Sequence, residues 1–123
     1  MKVKSDRKQV ADYIELVRDI VTDRSASYRT YHIEPRRKNK ECVLELGFNY
    51  KSVIEEIAKL TVRDYCDGPV EDKDIRGYVW IFGKAINTRE IYIKIKTVVI
   101  GDLRQVRVIS FHEADRELRH PYK

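Results

Sequence analysis

At 123 residues and 14.6 kDa the chain is one domain's worth, a single unit spanning 1–123. Its 25 Lys and Arg against 20 Asp and Glu leave a net charge of +5, which permits a polyanionic partner without requiring one. Charged residues at 37% and a mean hydropathy of −0.55 argue against a membrane protein, and no apolar run approaches the length that spans a bilayer.

A domain of this size buries about two-thirds of its unfolded surface and can fold without staples. Cys42 and Cys66 fit no zinc spacing and read as reduced thiols in a cytosolic protein. The start, MKVKSDRKQV, lacks the apolar segment of a secretory signal, so a cytoplasmic location is expected.

Asp6 to about Asp23 reads as a helix, with Val10, Tyr13, Ile14, Val17, Ile20 and Val21 on one stripe and Ser5 or Asp6 as its cap. Asp23–Ser27 is a loop, and Tyr28–Ile33 a short strand that Pro35 ends. The run Arg36, Arg37, Lys38, Asn39, Lys40 is either a solvated helix entrance or a phosphate clamp near a helix N-terminus. A short helix follows over Asn39–Leu46, stopped by Gly47, and Asn49 caps a third over Tyr50–Leu60. Thr61–Gly77 reads as a connector. Asp67-Gly68-Pro69 signals a turn, and Glu71, Asp72 and Asp74 form a solvated acidic loop whose spacing matches no calcium site.

Three strand-like runs come next: Tyr78–Phe82, Glu90–Val98 and Gln105–Phe111. Gly83 and Asn87-Thr88 break the first pair, and Gly101-Asp102 turns between the second and third, which makes a meander. In the middle run Ile91, Ile93 and Ile95 face one way and Tyr92, Lys94 and Lys96 the other. The apolar side, with Ile109 and Phe111, is expected to receive the helices. The tail HEADRELRHPYK lies over the sheet edge or trails off. The predicted class is therefore α+β: an antiparallel sheet with three helices packed on one face.

No G-x-G-x-x-G, Walker loop, H-E-x-x-H or G-x-S-x-G occurs, which removes the strongly signed cofactor enzymes and hydrolases. What is left is a cationic sheet face. Antiparallel pairing would set Tyr92, Lys94 and Lys96 beside Val108, Ser110 and His112. A histidine, a tyrosine and lysines on one face suit phosphodiester chemistry in which RNA supplies its own 2′-OH nucleophile, so no metal or cofactor is called for. Each candidate also has a structural reading. Tyr92 can be a packed sheet residue, Lys94 and Lys96 solvated strand charges, and His112 a strand end.

The segments LTVRDYCDGP, VWIFGKAINTREIYIKIK, VISFHEAD and the closing HPYK, with RRKN and ELGF upstream, resemble the MqsR family of type II toxin–antitoxin toxins. The resemblance covers about Tyr28 to Lys123. It implies a RelE-like ribonuclease fold and a metal-independent endoribonuclease that cuts mRNA, often at GC-containing sites. It also implies a cognate antitoxin, zinc-binding or carrying a helix-turn-helix that binds DNA. Tyr92 falls on the family's catalytic tyrosine, and His112 stands where better-studied members have a catalytic lysine. Val79 stands at a functional glutamine and Asp67 at a functional lysine, so Lys84, Arg37 and Lys38 are candidates to restore the phosphate grip.

The resulting expectation is an mRNA-cleaving toxin with Tyr92, His112 and Lys94 catalytic and Lys84, Arg37, Lys38 and Lys96 on phosphate. The alternatives are a non-catalytic RNA binder on the same fold, or a module that only meets an acidic protein partner.

Overall fold

The computed structural model describes residues 3–23 and 29–123. Helix α1 (Arg7–Thr22) opens with a reciprocal cap. Asp6 Oδ1 accepts from the Gln9 N–H, and Gln9 Oε1 accepts from the Asp6 N–H, both at 2.8 Å. Ser5 is not the cap; its hydroxyl donates 2.8 Å to the Gly68 carbonyl and ties the entry of α1 to the sheet. All six residues of the predicted α1 stripe are buried.

Strand β1 is only Tyr31–Ile33, with a turn at Arg29–Thr30; Tyr28 and most of the predicted loop before it lie outside the described residues. Helix α2 (Arg37–Leu46) starts two residues earlier than its periodicity suggests and stops at Gly47, whose φ of 71° is the left-handed stop anticipated there. Helix α3 (Tyr50–Ala58) is capped by Asn49, which exchanges hydrogen bonds with Ser52.

After a 3-10 turn at Val62–Asp64 come β2 (Tyr65–Glu71), β3 (Tyr78–Ile86), β4 (Arg89–Ile100) and β5 (Leu103–Glu113), in the order β1-β5-β4-β3-β2. Two expectations are corrected here. The connector contains a strand: β2 is an edge, the place in a sheet where a proline can sit because no partner needs its missing N–H. Its DGP segment breaks the pairing register rather than turning the chain, and a Cβ at Gly68 would stand 2.8 Å from Trp80 Cα, so only glycine fits. The sheet is also mixed rather than antiparallel, because β1 joins β5 in parallel. That pairing unites distant parts of the chain, which a reading of neighbouring strands does not reach.

Gly83, expected to end its strand, lies inside β3 opposite Tyr92, and β3 runs on to Ile86. From Phe82 onward strict alternation then fixes both faces. Trp80, Phe82, Ile91, Ile93, Ile95, Val106, Val108 and Phe111 join the helical stripes in one apolar cluster. Tyr13 of α1 stacks flat on Trp80 with ring centroids 4.1 Å apart. Burial of each such isoleucine stabilises the fold by about 1.5–3 kcal/mol relative to exposure.

One irregularity sets the geometry of the other face. Lys94 pairs with Ser110 but Ile95 pairs with Val108, so Ile109 is a bulge on β5. Asn39 of α2, 1% exposed, fits against it. Its amide donates to the carbonyls of Glu34 and Ile109, each at 3.0 Å, and accepts from the Phe111 N–H at 2.9 Å. This side chain continues the edge of β5 where β1 ends, satisfying groups that burial would otherwise leave unpaired.

Candidate active site

The face of the sheet away from the apolar cluster carries Tyr92, Lys94 and Lys96 on β4 and Arg107, Ser110 and His112 on β5. Tyr92 and His112 are direct cross-strand partners, with ring centroids 5.5 Å apart. His112 Nδ1 lies 3.0 Å from the Glu113 carbonyl, which can only accept. Nδ1 is therefore the N–H of the neutral ring, and Nε2 keeps its lone pair free to take a proton. Burial pushes the Tyr92 phenol up, and the charge of Asp72 pushes it further, with smaller contributions from Cys66 and Asp67. Tyr92 thus stays protonated well beyond neutral pH and can donate a proton rather than accept one.

The lysines behave differently from the sequence expectation. Lys94 shares the face, but its Nζ is 2.6 Å from Asp72 Oδ1, and the two side chains are only 12% and 10% exposed. Asp72 Oδ2 accepts from the N–H groups of Asp74 and Ile75. Burial opposes its ionisation, yet the bonds from Lys94, Asp74 and Ile75 outweigh this and hold the carboxyl below the ordinary aspartate range. The acidic loop is thus not simply solvated: it folds over the face and neutralises Lys94. Lys96 donates to the Arg76 carbonyl on the same loop.

Lys84 is not on this face. Its partner across the ladder is Ile91, on the helical side, and its Nζ pairs with Glu56 of α3 at 2.9 Å. Arg37 lies on α2 with Nε 2.8 Å from Glu41, an exposed pair that occupies its guanidinium. Lys38 comes nearer: with His112, Glu41, Cys42 and Asp115 it lines a groove of about 200 Å³, though its ammonium is held 3.2 Å from Asp115. Neither departure from the resembled pattern is repaired in place. Val79 is 1% exposed, and Asp67 sits opposite Ile81 with Oδ1 accepting from the Gly68 N–H.

The tail is seated, not trailing. The Ala114 N–H donates 2.9 Å to the Glu90 carbonyl, and a Cβ placed on Gly83 would overlap Leu118 Cδ1. His120 spans Glu90, with Nε2 3.1 Å from Oε1, and Cys66, with Nδ1 3.8 Å from Sγ. Tyr122 then stacks on buried Tyr65 at 5.8 Å and donates to the Ser5 carbonyl, with Arg7 over its ring. The order Cys66–His120–Glu90 has the form of a thiol nucleophile and its base. Its environment is wrong for that work: burial, then the charges of Glu90, Asp64 and Asp67, push the thiol up to about 12. We read it as a latch that holds the tail. Both cysteines are free.

Alternation alone points to Val108 as the neighbour of Lys96. The bulge moves Arg107 there instead, opposite Lys96 on β4 and His32 on β1. Only the Asn39 amide that supports the bulge could have hinted at this, and its partner Ile109 on β5 is 70 residues away. Among the described residues no three His, Cys, Asp or Glu side chains are grouped to hold a metal ion. Comparison with protein-family models, with curated proteins and with solved structures finds no match to this chain.

Proposed function

We propose that this protein is a toxin of the type II toxin–antitoxin kind, a cytoplasmic endoribonuclease that cuts mRNA without a metal ion, on a RelE-like architecture. The observation that carries the reading is the Tyr92–His112 couple: a phenol kept protonated beside an imidazole whose Nε2 is free. His112 Nε2 takes the proton of a ribose 2′-OH, and the 2′-oxygen forms a bond to the adjacent phosphorus. The bond to the 5′-oxygen breaks as the Tyr92 hydroxyl protonates it. The products are a 2′,3′-cyclic phosphate and a 5′-hydroxyl. Lys94, two residues along β4, becomes available to the phosphate when that anion displaces Asp72. A cognate antitoxin, zinc-binding or DNA-binding through a helix-turn-helix, belongs to the same reading.

Purified protein should cut a mixed-sequence RNA in the presence of a chelator. Tyr92→Phe and His112→Ala should each slow cleavage by at least about 100-fold, the usual worth of a positioned acid or base. Undiminished cleavage by both folded variants would sink the assignment.

A second reading, a non-catalytic RNA-binding or antitoxin-binding module on a toxin-like fold, is favoured by the carboxylates Asp67, Asp72 and Glu90 on this face and by the neutralised Lys94. Salt-dependent RNA binding with no cleavage by the wild type would select it.

A further inference from the structure

Charge is distributed unevenly on either side of the Tyr92–His112 couple. On one side of the couple the face carries Glu90 and the seated tail, while Asp67 on β2 and Asp72 of the loop stand level with Lys94. Toward the far end of β4 it carries a row of nitrogen bases and cations across three strands: Lys96, Arg107 and His32 in direct register. Arg107 makes no ion pair among the described residues; its Nε donates 3.0 Å to Gln105 Oε1, which aims the guanidinium without neutralising it. Among the described residues Lys96 has only the Arg76 carbonyl as partner. His32 is the outermost, with Glu34 Oε1 3.9 Å from its Nε2. By contrast Lys94, Lys84, Lys38 and Arg37 are each matched to a carboxylate.

We propose that Lys96 and Arg107, with His32 at the rim, form a subsite for the backbone phosphates of single-stranded RNA. It lies beside the reacting centre and sets the direction in which the strand crosses the sheet. Lys96 lies four positions along β4 from Tyr92, about 14 Å at strand rise, so the row grips a phosphate further along the strand than the scissile one and its immediate neighbour. An arginine suits this task because its planar fork offers two parallel donors to a phosphate. The direction of crossing follows from repulsion as well as attraction, since a strand laid the other way would run over Glu90 and the tail. This inference rests on the nuclease reading for its notion of a scissile phosphate, but phosphate binding can be measured apart from cleavage.

The test is binding of a short, non-cleavable 2′-O-methyl RNA at several salt concentrations. Arg107→Gln should weaken binding about tenfold and lower the slope of log K against log salt by about 0.7, and adding Lys96→Gln should double that change in slope. Arg107→Lys, which keeps the charge but not the fork, should restore the salt slope. Lys51→Gln, an equal charge loss on α3, serves as the control and should bind like the wild type. On cleavable RNA, Arg107→Gln should raise KM far more than it lowers kcat.

Binding by Arg107→Gln equal to that of Lys51→Gln would overturn the subsite. So would failure of Arg107→Lys to rescue, since that would mark a structural role. The two proposals can fail separately. Arg107-dependent binding by a wild type that cuts nothing would remove the nuclease and leave the subsite. Cleavage with an unchanged KM in Arg107→Gln would do the reverse.

Discussion

Asp72 shows how far a side chain's role depends on a partner distant in the chain. Read locally it is one of three acidic residues in a polar loop. In the fold its carboxylate takes bonds from Lys94, Asp74 and Ile75 at the surface of the sheet. Its folded pKa lies below the ordinary aspartate value near 3.9. The stabilisation it contributes is therefore complete above that value and is lost as pH falls through it toward the folded one. Asp72→Asn should cost about 2 kcal/mol at neutral pH, the worth of a hydrogen bond between charged groups, and the difference from wild type should shrink below about pH 4. Urea unfolding of both proteins at the two pH values measures it, and an equal difference at both would refute the role given to the ion pair. The same loop reaches Tyr92, since the Asp72 charge, after burial, is one of the causes that keep its phenol protonated.

The seated tail and the bulge decide what the sheet presents. Gly83 has no Cβ because Leu118 occupies that space, with Glu90 and His120 each 3.3 Å from where the carbon would be. Gly83→Ala should therefore lower stability by about 1 kcal/mol, the low end of overpacking, because the Leu118 side chain is flexible and can give way. In a Leu118→Ala background much of that cost should vanish, a coupling of about 0.5 kcal/mol or more. Strict additivity of the two in denaturant unfolding would mean that the tail does not rest on Gly83. The helices and the two faces of β4 were legible because they depend on local periodicity: the α1 stripe, the alternation of Ile91, Ile93 and Ile95, and the caps at Asp6, Gly47 and Asn49. Tyr92 facing His112 followed from the same alternation. Other features rested on non-local contacts. Gly83 resembles a break until Leu118 is placed over it, and reading it so hid the parity that sends Lys84 to Glu56. The DGP segment resembles a turn because an edge strand tolerates the same glycine and proline that turns use. The single extra residue at Ile109 exchanged Val108 for Arg107 beside Lys96.

Across the molecule, three helices pack with one side of a five-stranded mixed sheet, and the other side lies between two covers, the 72–77 loop and the tail. No described helix is long and apolar enough to cross a membrane. Charge is not spread evenly over the uncovered face: Glu90 stands at one end, Asp67 and Asp72 lie level with Lys94, and Lys96 and Arg107, which make no ion pair among the described residues, stand toward the other end. An RNA strand entering from the cationic end would reach Tyr92 and His112 before the tail. The most direct test of this account is the chemistry of the cut ends. Products of wild-type cleavage, in the presence of a chelator, should carry 2′,3′-cyclic phosphate and 5′-hydroxyl termini. An RNA with a single 2′-deoxy sugar at the cut site should stay intact there. Termini bearing 3′-hydroxyl and 5′-phosphate, or cleavage of the deoxy-substituted strand at that site, would contradict the Tyr92–His112 mechanism.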